Sequence, residues 1–388
     1  MTLMANYARL PVAFVHGEGP WLFDQEGRRY LDALAGIAVC GLGHCHPAVT
    51  EALQKQAATL IHTSNLYQVP LQEELAHRLC RLSGLDAAFF CNSGAEANEA
   101  AIKLARLHGH AKGIAEPKIL VFTQSFHGRT LATLSATGNH KIQEGFSPLV
   151  TGFVRVPYGD LSSAAAALAA DPDLCAVLVE PIQGEGGVRP APRGFLQGLR
   201  TLCDHHRALL LLDEVQTGIG RTGTFFAFQQ EGDWLPDVLS LAKGLGNGVP
   251  IGAVLARKDS AALFGPGKHG TTFGGNPLVS AAALAVLTTM ESQNIPAHAH
   301  AMGARLEEGL RSSLAHHPLV EEIRGRGLML GIVLREPPQG LVEKALAMGV
   351  LINVTAGRVI RLLPPLIYGP EEVQLLIDKI TALLEDRP

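Results

Sequence analysis

Charge and aromatic character are both scarce in this chain. Of its 388 residues only 18% are Asp, Glu, Lys or Arg and only 5% are Phe, Trp or Tyr, and 32 basic residues against 36 acidic ones leave a net charge of −4. No stretch gathers enough Lys and Arg to make an electrostatic footprint on phosphates, which argues against a nucleic-acid binder and favours a small-molecule partner. Cysteine is sparse as well: Cys40, Cys45, Cys80, Cys91, Cys175 and Cys203 are scattered without C-x-x-C spacing, so neither a disulfide framework nor a zinc site is expected. His44-Cys45-His46 and Asp204-His205-His206 put metal-ligating types side by side, but adjacent residues rarely aim at one ion, and no metal is expected. Long apolar runs are missing too. The longest uncharged stretches, 33–50 and 269–290, are interrupted by Gly, His, Asn or Pro, so no membrane helix is expected. The first ten residues lack a basic stretch followed by an apolar run; no secretory signal is read and a cytoplasmic location is expected.

What is abundant is hydrophobicity, 47% of the chain, enough to exclude disorder. At about 150 residues per domain, the length predicts two or three domains. Short apolar runs at 87–91, 118–122, 174–180, 208–213, 238–242 and 251–256 alternate with helical patterns. That alternation predicts an α/β domain with a largely parallel, buried sheet. Leu71, Leu75, Leu79 and Leu82 recur at helical spacing, and 95–110 reads as an Ala-rich helix. From about 277 the pattern changes to two helices, strands near 327–334 and 358–362, and a last helix over 370–385. The expected division is an N-terminal segment, 1–50, packing with the small domain; a large domain, 51–276; and a smaller α+β domain, 277–388.

In an open parallel sheet ligands bind beyond the carboxyl ends of the strands, and three such ends carry chemistry. After Cys91 come Asn92-Ser93-Gly94-Ala95-Glu96 and a long helix. This is a turn into a helix N-terminus that can cup a phosphate, although the same residues also serve as a plain N-cap. After Leu212 comes Asp213, a carboxylate that is either an exposed loop acid or a buried charge needing a cation. After Ala242 comes Lys243 beside Gly244 and Gly246, either a surface lysine or, in a dry pocket, a Schiff-base former. Together the three match a cofactor with a phosphate, a basic ring nitrogen and an aldehyde, as in pyridoxal 5'-phosphate. Phe126 and Arg129 add an aromatic face and a bidentate carboxylate ligand. Gly218, Gly220 and Gly223 also match G-x-G-x-x-G, with Asp237 nineteen residues past Gly218. The acidic residues between strand and glycines speak against this nicotinamide-dependent oxidoreductase alternative.

Ordered motifs then carry a resemblance along nearly the whole chain: Gly43-His-Cys-His-Pro47, Phe89-Phe-Cys-Asn-Ser-Gly-Ala-Glu-Ala-Asn-Glu99, Phe126-His-Gly-Arg-Thr130, Glu180-Pro-Ile-Gln-Gly-Glu-Gly-Gly-Val188, Leu212-Asp-Glu-Val-Gln-Thr-Gly-Ile-Gly-Arg-Thr-Gly223, Ala242-Lys-Gly-Leu-Gly246, Thr271-Thr-Phe-Gly-Gly-Asn-Pro277 and Arg361-Leu-Leu-Pro-Pro365. The sequence resembles the class III pyridoxal-phosphate-dependent aminotransferases, in the subgroup containing bacterial acetylornithine aminotransferase. The resemblance implies a fold type I transferase with Lys243 as the Schiff-base lysine and Asp213 on the ring nitrogen. Gln216 then meets the ring hydroxyl, Val215 and Phe126 cover the two ring faces, and Ser93, Gly94 and Ala95 hold the phosphate. Thr272 reaches that phosphate from a neighbouring subunit, so a homodimer with shared active sites is implied. Arg129, with Thr271 nearby, takes the carboxylate of a long amino donor; Arg361 takes the α-carboxylate of glutamate or 2-oxoglutarate, and Glu185 covers Arg361 when the donor is bound. A structural salt bridge is the other reading of Glu185 and Arg361. The implied reaction is ping-pong transamination of N2-acetylornithine with 2-oxoglutarate in arginine biosynthesis. Succinylornithine, N-succinyl-diaminopimelate, ornithine and 4-aminobutyrate remain as alternative donors. Thr271 stands where many members carry serine, and 39–41 and 68–69 differ from the commoner patterns, which bears on the acyl group accepted.

Overall fold

Two runs of wholly buried residues, Leu174–Val179 and Leu209–Asp213, lie side by side in the middle of a seven-stranded sheet. Strands covered by helices on both faces bury every side chain, so they read as continuous apolar runs instead of alternating. In the computed structural model, which describes residues 2–385, the sheet order is Ala87–Cys91, Gly252–Ala256, Val238–Leu241, Leu209–Asp213, Leu174–Val179, Lys118–Phe122 and Phe153–Val156. All pairings are parallel except those of Gly252–Ala256, which runs antiparallel to both neighbours. The carboxyl ends of Ala87–Cys91, Lys118–Phe122, Leu174–Val179, Leu209–Asp213 and Val238–Leu241 therefore open on one side of the sheet.

The expected strands are present, with Glu180, Ala208, Ala242 and Ile251 falling just outside their ends. Phe153–Val156 was not anticipated. It is an edge strand with Arg155 in its middle, whose guanidinium donates to the carbonyls of Ser135 at 2.8 Å and Thr137 at 3.0 Å. A second departure lies at 320–334, where one expected strand is a hairpin of Val320–Arg326 and Met329–Leu334. Glu321, Glu322, Arg324 and Arg326 hide the first arm by making it look solvated. These two strands join Val359–Leu362 and Asn353–Thr355 in a four-stranded antiparallel sheet.

At the other end of the chain Phe14–Glu18, Trp21–Asp24 and Arg29–Asp32 form an antiparallel meander, and Arg29–Asp32 continues it by parallel pairing with Val350–Leu351. The helix Pro277–Ser292 packs against Pro47–Thr59 and Pro70–Ser83. Its buried face includes Val279, Ala282, Ala283, Val286, Leu287 and Met290. The last helix, Pro370–Glu385, buries the expected Val373, Leu376, Ile377, Ile380 and Leu384, and Leu383 with them. Residues 1 and 386–388, the extremes of the expected terminal units, lie outside the described residues.

Candidate active site

A cavity of about 370 Å³ opens where the strand ends converge, and Ser93, Gly94, Ala95, Phe126, Arg129, Asp213, Val215, Gln216 and Lys243 all line it. Its floor is the start of the helix Gly94–Ala111. Ser93 is the N-cap, its hydroxyl accepting from Glu96 N at 3.2 Å. The amides of Gly94 and Ala95, first and second in the helix, have no intrahelical acceptor and carry the positive end of the helix dipole. Gly94 has to be glycine because a Cβ there would sit 2.6 Å from Val215 Cγ1. The N-cap and phosphate-cup readings of this turn are thus compatible: the cap uses a lone pair of the Ser93 hydroxyl and leaves its O–H and two backbone N–H groups for an anion.

Lys243 follows Val238–Leu241 in a left-handed backbone conformation, φ 46°. Burial pushes its ammonium down from the usual 10.5 to about 8, with Glu185 opposing and Arg361 reinforcing the shift. Asp213, 5% exposed, faces the same space. Its Oδ1 accepts from Val215 N at 3.1 Å, and its Oδ2 accepts from Asn98 Nδ2 at 2.7 Å and lies 2.8 Å from His127 Nδ1. Because a carboxylate only accepts, His127 Nδ1 is the donor in this contact.

Asn98 and His127 were not singled out from the sequence. Asn98 looks like a polar position on a solvated helix face, yet it is 1% exposed. Glu180 was missed as well, although it stands one residue past Leu174–Val179 and the strand-end rule points to it. It lines the cavity and accepts from Phe126 N at 2.9 Å and Gly184 N at 3.2 Å. Burial, reinforced by the charge of Asp213 and opposed by the two backbone N–H donors, pushes its carboxyl well above the ordinary range.

Beside the cavity, Arg361 is 1% exposed. Its Nη1 donates to Glu185 Oε1 at 2.5 Å and lies 3.4 Å from Gln216 Oε1, while its Nε donates to Asn353 at 3.2 Å. Gln216 thus links this ion pair to the cavity wall. Arg129 is exposed, with its guanidinium carbon 5.8 Å from the centroid of the Phe126 ring and, among the described residues, no ion-pair partner. Thr271 and Thr272 do not line the cavity. Thr271 Oγ1 accepts from Asn92 Nδ2 at 3.2 Å, next to the cup, and Thr272 is exposed.

The glycine motif at 218–223 has another use. Gly220 N donates to Phe225 O and Gly223 N to Gly220 O, which makes a run of turns instead of a helix start. A Cβ at Gly220 would strike Met290, and one at Gly223 would strike His300. Asp237, the would-be ribose ligand, is held by Arg200 Nη1 at 2.6 Å and Leu210 N at 2.7 Å. These glycines serve helix packing, and no dinucleotide site is built on them. Among the described residues no group of three or more His, Cys, Asp or Glu is placed to hold a metal, and His44 pairs with Asp32 at 2.7 Å.

A helix N-terminus, a buried carboxylate and a desolvated lysine meet at one cavity of this α/β protein, an arrangement able to hold an anionic, aldehyde-bearing cofactor. The comparison with known proteins agrees. The family model for aminotransferase class III matches residues 3–384. The chain is 54% identical over 382 residues to the acetylornithine aminotransferase of Nitrosomonas europaea, covering 98% of this chain and 97% of that protein. It is 55% identical over 383 residues to acetylornithine aminotransferase 1 of Bordetella pertussis, again covering 98% and 97%. Among solved structures, the ornithine aminotransferase of Toxoplasma gondii superposes with a TM-score of 0.96 at 36% identity, covering 100% of this chain and 94% of that one. The N-acetylornithine aminotransferase of Stenotrophomonas maltophilia does so with a TM-score of 0.86 at 38% identity, covering 98% and 97%. The chain belongs to the class III aminotransferases, whose cofactor is pyridoxal 5'-phosphate.

Proposed function

We propose that the protein transfers the terminal amino group of N2-acetyl-L-ornithine to 2-oxoglutarate, giving N-acetyl-L-glutamate 5-semialdehyde and L-glutamate, as a step of arginine biosynthesis in the cytoplasm. The observation that carries this reading is the convergence of Lys243, Asp213 and the free amides of Gly94 and Ala95 on one cavity. Full-length relatives with that activity support the choice of donor. Pyridoxal 5'-phosphate supplies an aldehyde that condenses with primary amines and a ring that withdraws electrons from the carbon being deprotonated. Ser93, Gly94 and Ala95 would hold its phosphate, Asp213 its protonated nitrogen, Gln216 its hydroxyl and Lys243 its aldehyde carbon, with Val215 and Phe126 on the two ring faces. Lys243, its proton affinity lowered by burial, would also hold and move the proton at the reacting carbon.

Two cations divide the substrates. Arg129, exposed and without an ion-pair partner among the described residues, suits the carboxylate of the long donor, whose reacting amine is far from that carboxylate. Arg361, buried and covered by Glu185, suits the α-carboxylate of glutamate once Glu185 moves aside. Replacing Glu185 by alanine is expected to shift the ratio of the two half-reaction rates about tenfold in favour of glutamate, since a charge-assisted hydrogen bond no longer competes for Arg361. Single-turnover rates with each amine check this, and an unchanged ratio would mark the pair as purely structural.

The cofactor site falls in the unit 51–276, and Arg361 in the unit 277–388, with 1–50 packed on the latter; the pairing of Arg29–Asp32 with Val350–Leu351 supports that grouping. A homodimer with shared sites accounts for Thr272. Leu66, Tyr67 and Phe273 are 86%, 70% and 59% exposed, and Asn65 Nδ2 ties their two segments together through the carbonyls of Thr271 and Gly274. Such an apolar patch suits burial by a second copy. The test of the donor is kcat/KM with N2-acetylornithine, N2-succinylornithine, ornithine and 4-aminobutyrate at saturating 2-oxoglutarate. The reading expects the acetylated donor to lead, and a lead for free ornithine would move the substrate within the family.

A further inference from the structure

Arg129 sits in a short connection whose two flanks are held by one helix. On its N-terminal side, Asn98 Nδ2 donates to His127 O at 2.8 Å. On its C-terminal side begins the helix Leu131–Ala136, whose N-cap, Thr130, offers no side-chain cap of its own. The cap comes from elsewhere: Glu99 Oε1 accepts from Ala132 N and Thr133 N, each at 3.2 Å, and from Thr130 Oγ1 at 2.5 Å. The Thr130 and Thr133 hydroxyls, 2.7 Å apart, close the arrangement. Gly128 adds a close approach, since a Cβ there would lie 2.5 Å from Thr133 Oγ1 and 2.9 Å from Ala95 Cβ.

Asn98 and Glu99 are consecutive residues of the helix Gly94–Ala111, about one turn beyond the anion cup at Gly94 and Ala95, or about 6 Å along the axis. One rigid element therefore carries both the cup and the brace for Arg129.

We propose that Glu99 is a positioning residue for substrate selection: by capping the helix after Arg129 it fixes the backbone from which that side chain projects, sets the reach of its guanidinium relative to the anion cup, and so favours amines with a carboxylate at their far end. This rests on the reading of Arg129 given above. The cap is charge-assisted and partly buried, so losing it releases the connection. Among the described residues no ion pair ties down the Arg129 side chain, so its placement depends on the backbone that carries it.

The test compares the parent holoenzyme with its Glu99→Ala, Glu99→Gln and Arg129→Ala variants. The substrates are N2-acetylornithine and N-acetyl-1,4-diaminobutane, the same amine without its carboxylate. Half-saturation for N2-acetylornithine in the first half-reaction is expected to rise about tenfold in Glu99→Ala, as for one lost hydrogen bond to a charged group. The decarboxylated amine should change less than about twofold, on the same basis. Glu99→Gln keeps the acceptor oxygen and should recover most of the loss. Amide exchange at Ala132 and Thr133 should quicken in Glu99→Ala and not in Glu99→Gln. If Glu99→Ala weakens both amines equally, or neither, while Arg129→Ala weakens only N2-acetylornithine, the role assigned to Glu99 is wrong and that of Arg129 stands. If Arg129→Ala itself spares N2-acetylornithine, the reading of Arg129 fails and the proposal falls with it.

Discussion

Replacing Lys243 by alanine is expected to lower turnover by about 10,000-fold or more while the protein folds as before, because in the proposed reaction the position supplies both the covalent amine and the proton carrier. The physical case rests on where the amine lies. It projects from the end of Val238–Leu241 into the cavity, and burial has already brought its pKa down from 10.5 to about 8. Single-turnover rates and circular dichroism of the variant check both halves of the expectation. The same shift predicts a pH dependence. Below about 8 the ammonium dominates, so capture of pyridoxal phosphate by the cofactor-free chain should quicken nearly tenfold per pH unit up to that value and level off above it. The linkage to stability has the matching sign: between about 8 and 10.5 the unfolded lysine is protonated and the folded one is not. Stability of the cofactor-free chain therefore gains from this group as pH rises through that window.

Asp213→Asn carries the second-largest expected loss, about 100- to 1,000-fold in turnover, comparable with removing one preorganised electrostatic partner of a transition state. The substitution is close in size, and Asn98 and His127 can still meet a side-chain oxygen, so folding should survive. What disappears is a carboxylate held on a wall only 5% exposed, the feature proposed to keep a ring nitrogen protonated and the ring electron-withdrawing. Pyridoxal phosphate should also dissociate more readily from the variant, measured as loss of visible absorbance on dialysis. A variant with parental rates would mean that the carboxylate serves the fold alone.

The strand-end residues were legible because parallel strands buried on both faces leave an unmistakable apolar run, and the first polar residue after each run has to lie at the sheet's carboxyl edge. Asp213, Lys243 and the Asn92–Glu96 turn stood out for that reason. Glu180 obeys the same rule but was absorbed into its own strand, since Leu174–Val179 has no punctuation before it. Asn98 and Glu99 were hidden differently. On an Ala-rich helix two polar neighbours read as a wet face, and only the return of the 126–133 connection across that helix shows that both are occupied. Phe153–Val156 and Val320–Arg326 escaped because charged side chains on an edge or outer strand break the apolar run. The residues 271 and 272 were named through resemblance alone; the place of Thr272 outside the cavity of a single chain fits the dimer proposed for it, whereas Thr271, expected beside Arg129, does not line the cavity.

The most direct measurement is the visible spectrum of the purified protein, followed as N2-acetylornithine and, separately, free ornithine are added. The account predicts a near-violet absorption band that bleaches with the acetylated amine and scarcely with the free one. A band that bleaches only with ornithine would contradict the donor assigned here, and the absence of any band after pyridoxal phosphate is supplied would contradict the site itself.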